Sequence, residues 1–429
     1  MPQLEARSTA KTSASPDAVW RIARDFCAPW HPAIAEMRAE TGAEGGLVRA
    51  FSVHGEDTVY RERLTWFSDS DRTLGYAHVE GIAGVESYAG RLIVSSAENG
   101  GAEITMSARM AAPSGRAEEI ASGTQAIFDA GVAALAGLAT ETGDEAASPA
   151  PTPAQAQTVM VGGRPRLAIS ATPRRDGPLV LFLHGIGGAR SNWDAQLSAI
   201  GGAYWAAAID LRGYGDSALG PAQSTVDDYC ADILRVKTAL GADRLILCGL
   251  SYGAWIATSF AMRHPELLDG LILSGGCTGM SEAGAEEREA FRASREVPLA
   301  EGRTPADFAP AVVNALAGPD ADDATRESLR ASMAAIPVDT YRDALRCFTN
   351  PRETFEFSRL TMPVMMMTGE HDRLAPPHEI RSVAERIHDA APRPDVRFEV
   401  LRGAGHVCNV EAPVRYNRLL REFLGRVLA

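Results

Sequence analysis

Ser251 stands between Gly249 and Gly253, directly after the apolar run 245–248 and before a helical stretch at 254–263. A serine on a sharp strand-to-helix turn projects its hydroxyl beyond the end of a sheet, and only small neighbours let the chain fold tightly enough to present it there. With 40 glycines in the chain, the five letters G-x-S-x-G carry weight only through the strand before them and the helix after them. A serine hydroxyl is too weak an acid to attack a carbonyl unaided, and it needs an imidazole to take its proton and a carboxylate to orient that imidazole. The sequence offers His406, in a glycine-rich loop after the strand 397–401, and Asp372, in Gly369-Glu370-His371-Asp372 after the apolar strand 363–368. All three lie just beyond strand ends, and in an open parallel sheet those ends converge on one edge.

A fourth element lies upstream, where the apolar strand 179–183 runs into His184-Gly185-Ile186-Gly187-Gly188. Such a loop, together with the residue after the nucleophile, supplies main-chain N–H groups to a developing oxyanion, which assigns Ile186 and Tyr252 as donors. The dinucleotide fingerprint that Gly185-Ile186-Gly187 suggests is not completed, because its sixth position is Arg190 where glycine or alanine is required. The chain order serine, aspartate, histidine is that of the α/β-hydrolases. Residues from about 158 to the C-terminus resemble that superfamily, through the His184 loop, Asp210-Leu211-Arg212-Gly213-Tyr214-Gly215-Asp216-Ser217, the Ser251 turn, 369–372 and 405–413. The resemblance is strongest to the 3-oxoadipate enol-lactonase and small carboxylesterase branch. It implies a mostly parallel sheet, a helical lid at about 280–350, the triad Ser251, Asp372, His406, and no cofactor. Epoxide hydrolases of the same superfamily carry aspartate where this chain has Ser251. C–C bond hydrolases and haloperoxidases usually have a further glycine where it has Ala254.

The elements that position these residues occupy only part of 429 residues, a length comfortable for two domains. The segment 140–157, TETGDEAASPAPTPAQAQ, mixes acidic, small and proline residues without apolar periodicity, and 141–157 reads as a Pro/Ala-rich linker. Ahead of it, 5–11 reads as a strand and Ser15-Pro16-Asp17 as a helix start, the helix continuing to Phe26. Strand text follows at 47–53, 58–67, 72–79, 87–95 and 102–110, and then Ile120, Ile127, Phe128, Val132, Leu135 and Leu138 mark a long amphipathic helix. Five or six antiparallel strands and one long helix imply a curved sheet gripping that helix. With the 15–20 and 25–32 motifs, residues 1–140 resemble the polyketide cyclase/START-like helix-grip superfamily, whose members bind apolar ligands between sheet and helix. Trp20, Trp30, Trp66 and His31 read as packing residues there, and the domain as an accessory for binding, dimerisation as a homodimer, or shielding.

The formal charge of −13 and a pI near 5.3 argue against nucleic-acid partners and anionic membranes. Residues 1–15 lack an apolar core, and no stretch is apolar for the roughly 18 residues a membrane span requires, so cytoplasmic residence is expected. Six scattered cysteines without a C-x-x-C pair read as buried free thiols, and His371, His378, Asp372 and His406 lack the spacing of a metal set. Trp193, Trp255, Phe308 and Phe348 are candidates to line an apolar pocket with Ile186 and Tyr252. The expected substrate is a small-molecule ester or lactone. Two rivals are hydrolysis of a C–C bond in a diketone and binding of a small ligand without turnover.

Overall fold

The computed structural model describes residues 3–140, except 44, 99 and 114, and residues 155–428. The described residues fold as two compact units, one of residues 3–140 with 394–399, the other of 155–393 with 400–428. Most of the stretch read as linker lies outside the described residues.

The first unit runs β1 (Gln3–Thr12), α1 (Pro16–Ala23), β2 (Ile34–Thr41), β3 (Leu47–Val53), β4 (Val59–Ser68), β5 (Thr73–Glu80), β6 (Ser87–Ser96), β7 (Ala102–Ala111) and α2 (Ala117–Leu138). The strands form an antiparallel sheet in the order β1-β7-β6-β5-β4-β3-β2. Period-2 burial is clearest in β6, where Tyr88, Gly90, Leu92 and Val94 point inward. The side chains of Tyr88, Leu92 and Val94 join Phe128, Val132 and Leu135 of α2 in one core with Val19, Trp20 and Phe26. Ser15 caps α1 by accepting the Ala18 N–H at 3.2 Å. Two expectations are corrected here. The first helix ends at Ala23, so Phe26 reaches the core from the loop after it, and a strand not read from the sequence, β2, pairs with β3. The text of β2, IAEMRAET, is partly exposed on both faces and therefore lacks the alternation that marks a half-buried strand.

The second unit contains β8 (Gln157–Val161), β9 (Leu167–Ala171), β10 (Leu179–Leu183), α3 (Asp194–Ile200), β11 (Ala206–Ile209), α4 (Val226–Leu240), β12 (Leu245–Leu250), α5 (Tyr252–Arg263), β13 (Leu268–Ser274), α6 (Ala285–Ala300), α7 (Pro305–Leu316), α8 (Asp323–Ala334), α9 (Val338–Thr349), β14 (Val364–Gly369), α10 (Pro377–Ala390), α11 (Cys408–Glu411) and α12 (Pro413–Val427), while β15 (Val396–Leu401) is divided, 396–399 falling in the first unit and 400–401 in the second. β8 thus begins on Gln157, the last residue of the stretch read as linker. β14, β13, β12, β10 and β11 are parallel neighbours, with β9 and β8 added antiparallel at one edge. Every residue of β10, β12 and β14 is buried, the signature of a sheet covered on both faces. Alternate residues Val180, Phe182, Ile246, Cys248, Ile272, Met365 and Met367 form one core layer with Leu197 of α3 and Tyr416, Leu420 and Phe423 of α12. α5 packs on β12 and β13. Four helices, α6–α9, stand between β13 and β14, over the span 285–349, where the sequence resemblance implied a helical insertion at about 280–350.

Candidate active site

The turn at the end of β12 holds Ser251 at φ 54° and ψ −112°, a conformation that a side chain other than glycine adopts only under strain. The strain is local and the neighbours that impose it are identifiable. Ser251 N–H donates to Ser274 O at 2.8 Å and its carbonyl accepts the Trp255 N–H at 3.0 Å, so the residue is fixed to β13 on one side and opens α5 on the other. A Cβ at Gly249 would stand 2.3 Å from Gly253 O, and one at Gly253 would stand 2.2 Å from Leu183 O, so the turn closes only because both positions lack one.

At the ends of β14 and β15, Asp372 and His406 meet. His406 Nδ1 donates to Asp372 Oδ2 at 2.8 Å, with both side chains almost wholly buried. The second carboxylate oxygen of Asp372 accepts the N–H groups of Leu374 and Ala375, each at 2.9 Å, and Thr368 Oγ1 lies 3.3 Å from Oδ2. Burial works against ionisation of this carboxyl, but the hydrogen bond and charge of His406 and the two N–H donors outweigh it, and the pKa is held below the ordinary carboxylate value. An ionised carboxylate on Nδ1 leaves Nε2 as the nitrogen that can accept a proton. The link to Ser251 is the segment after β13. A Cβ at Gly275 would lie 3.2 Å from the His406 ring, and one at Gly276 would lie 3.5 Å from Ser251 Cα, so two consecutive glycines separate the serine from the imidazole.

His184 shapes the loop facing the serine. It is fully buried, its Nε2 accepts the Leu211 N–H at 3.0 Å, and its Nδ1 therefore donates to Gly185 O at 2.8 Å. Gly188 N–H donates to the same carbonyl at 3.0 Å. Because N–H and C=O of a peptide point oppositely, fixing Gly185 O fixes the direction of the Ile186 N–H. Tyr214 Oη adds a hydrogen bond to Ile186 O at 3.0 Å. The loop lies close to the Ser251 turn, a Cβ at Gly185 being 3.4 Å from Ser251 Cβ. Tyr252 is the first residue of α5, where helical N–H groups have no intrahelical acceptor. Burial lowers the pKa of His184, which keeps it neutral in this role.

The four pocket candidates are placed differently from one another. Trp193 is fully buried in the core, stacked on Phe182 with ring centroids 4.8 Å apart and edge-on to Tyr416, rather than at an open surface. Trp255 is also fully buried and packs with Phe348 of α9 and Tyr252 at centroid distances of 5.5 and 5.4 Å. Phe308 of α7 packs on Tyr341 of α9 at 5.6 Å. A cleft of about 320 Å³ opens beside the loop 184–188, lined by Gly188, Asn192 and Tyr214 on one side and Ser328, Ser332 and Ile336 on the other. Sequence reasoning missed Glu411, whose carboxylate accepts the N–H groups on both sides of His406, and it missed the charged pair Arg49–Glu62 inside the first unit. There a cavity of about 60 Å³ is lined by Arg49, Glu62, Tyr76 and Tyr88 with Trp30 and His31. Arg49 pairs with Glu62 at 2.6 Å, and His31 is used at both nitrogens, by Ala33 N–H and Ile127 O. Strand alternation marks those positions as inward but does not say which inward residues meet. Among the described residues no group of three or more His, Cys, Asp or Glu side chains is placed to hold a metal ion, and no helix is long and apolar enough to cross a membrane.

Residues 178–413 match the sequence model of the family described as "alpha/beta hydrolase fold". The chain belongs to the α/β-hydrolase fold family. Residues 3–140 match a second model, "Polyketide cyclase / dehydrase and lipid transport". Relatives of the hydrolase part include a protein assigned as a carbamate hydrolase, RutD, in Cronobacter turicensis. It is 27% identical over 273 residues, which are 59% of this chain and 94% of the relative. The RutD of an Escherichia coli strain is 26% identical over 279 residues, 61% of this chain and 97% of its own. Among solved structures, a thermophilic esterase from Thermogutta terrifontis superposes with a TM-score of 0.55 at 25% identity, covering 64% of this chain and 99% of the esterase. The enol-lactonase of Burkholderia xenovorans shares the fold, with a TM-score of 0.52 at 20% identity over 63% of this chain and all of that one. Family and relatives together make the second unit a hydrolase.

Proposed function

We propose that the chain is a serine hydrolase that cleaves a carboxylic ester or lactone of a small, apolar substrate through an acyl-enzyme. The observation that carries this reading is the buried His406–Asp372 pair, 2.8 Å from nitrogen to oxygen, standing across two glycines from a serine in a strained turn. Ser251 attacks the carbonyl as His406 Nε2 takes its proton, and Asp372 holds the imidazole and stabilises the imidazolium that forms. The main-chain N–H groups of Ile186 and Tyr252 stabilise the oxyanion, a contribution of about 3 to 4 kcal/mol per donor in comparable sites. The imidazolium then returns its proton to the departing alkoxide, and a water activated by the same histidine releases the acid. In a lactone, alkoxide and acid remain one molecule. The helices α6–α9, inserted between β13 and β14, act as the lid that selects the substrate and excludes water. The RutD relatives bring carbamates into the test, since the same machinery attacks any carbonyl with a leaving group.

The deciding experiment is fluorophosphonate labelling with peptide mapping, beside turnover of aryl esters, lactones, a ring-fission diketone and aryl carbamates. The expected result is a single adduct on Ser251, ester or lactone turnover above the other classes, and a loss of about 10⁶-fold in kcat in Ser251→Ala. Turnover retained by that variant overturns the proposal. Preference for the diketone replaces it with C–C hydrolysis, and binding without any turnover replaces it with a ligand-binding role.

A further inference from the structure

A carboxylate outside the triad holds the loop that carries His406. Glu411, the last residue of α11, accepts three backbone N–H groups: Gly405 at 2.8 Å and Gly318 at 2.7 Å on Oε2, and Val407 at 2.9 Å on Oε1. Gly405 and Val407 flank His406 directly. Gly318 lies in the connection between α7 and α8, on the helical insertion. The N–H of His406 itself donates to Leu316 O at 2.8 Å, and Asp320 N–H donates to Gly403 O at 3.3 Å. Insertion and loop approach backbone to backbone, since a Cβ at Gly318 would stand 2.3 Å from Gly403 O and one at Gly405 2.0 Å from Leu316 O.

The consequence for His406 follows from its peptide planes. The N–H of Gly405, of His406 and of Val407 belong to three successive peptides, and Glu411 fixes the first and third while Leu316 fixes the second. The Cα–Cβ direction of His406 is therefore set by the backbone, and Asp372 then sets the rotation of the ring. A general base must be held within about 0.5 Å of its working position, and a misplacement of about 1 Å costs on the order of 100-fold in rate. Charge-assisted bonds to one carboxylate are a rigid way to hold two peptides.

We propose that Glu411 is a positioning residue for His406, acting through the backbone on both sides of the histidine and anchoring that loop to the connection after α7. The inference rests on the hydrolase reading given above. It is tested in the full-length chain with Glu411→Ala and Glu411→Gln, using Ser251→Ala as control. Gln keeps one acceptor oxygen for the Gly318 and Gly405 pair but turns an amide NH₂ toward the Val407 N–H, so the expected order is wild type, Gln, Ala. Five quantities are read: the number of sites titrated by a fluorophosphonate, the phosphonylation rate per titrated site, kcat and KM for p-nitrophenyl acetate, and the low-field proton resonance of the His406 Nδ1–H bonded to Asp372. The expected result is a full complement of sites, KM within about 2-fold, kcat and phosphonylation rate lowered about 10- to 100-fold in the Ala variant, and a shifted or broadened low-field resonance that is intact in Ser251→Ala. Unchanged per-site rates and an unchanged resonance overturn the proposal, as does a loss of activity matched by a loss of titratable sites, which would make Glu411 merely structural. A wild-type chain that does not label at Ser251 overturns the hydrolase reading instead, and the resonance still reports whether Glu411 holds the loop.

Discussion

At the scale of the residue, the site is built from groups held where they would not go by themselves. Ser251 is the plainest case, since φ 54° with ψ −112° costs a non-glycine residue roughly 1–3 kcal/mol. Ser251→Gly is expected to raise stability by about 1 kcal/mol in urea unfolding while abolishing fluorophosphonate labelling. A variant no more stable than Ser251→Ala would show that the turn stores no strain. His184 gives a prediction in pH. Burial lowers its pKa, with the Gly185 carbonyl bond offsetting only part of that. As pH falls through the ordinary imidazole value of about 6.5, the unfolded chain takes up a proton here and the native chain does not. Stability is therefore present above that pH and is lost below it, by up to about 1.4 kcal/mol per pH unit for this one group. Urea midpoints at pH 7, 6 and 5 should fall less steeply in His184→Asn than in the wild type. Equal slopes would mean that His184 is protonated in the native state.

At the scale of the element, what matters is how closely backbones approach. α5 begins against the end of β10, and a Cβ at Gly253 would meet Leu183 O at 2.2 Å and His184 O at 2.8 Å. These are backbone atoms at the end of a buried strand and cannot give way. Gly253→Ala should cost about 3 kcal/mol and displace the loop 184–188, so that labelling of Ser251 is lost together with a lowered thermal midpoint. A variant that melts and labels like the wild type would contradict the geometry. The strands that place the site were legible because they are buried on both faces: 179–183 is β10 residue for residue, and 245–248 lies inside β12. α7 and α9 were not read singly within the helical span at about 280–350: α7 buries only Pro305, Ala309 and Val313, whereas α9 buries a broad face that includes Thr340, Asp343 and Thr349, polar residues that hide its pattern in the text. β2 was missed for a related reason, its edge position leaving little apolar pattern to read.

At the scale of the whole molecule, the two units carry separate cores and different chemistry. The first encloses Arg49, which is buried against Glu62 and stacked over Phe26 and Tyr76 at 4.5 and 4.8 Å from the ring centroids. Glu62→Gln would leave that guanidinium charge uncompensated, and a loss of about 3 kcal/mol is expected in the unfolding of this unit, with Ser251 labelling unchanged because every residue of the candidate triad lies in the other unit. Stability equal to wild type would place Arg49 in contact with water. The sequence by itself determined the local pieces: a serine between two glycines after a strand, the chain order of serine, aspartate and histidine, and the apolar runs whose burial makes a parallel sheet. Those are properties of neighbours along the chain, where each residue's hydration and backbone preference act within a few positions. Only the tertiary structure decided which residues meet across long loops. It brings His406 to Asp372, Glu411 to Gly318, and Arg49 to Glu62, and it turns Trp193 into the core. Such meetings depend on register, loop closure and the packing of whole layers, none of which is written in any single stretch of the chain.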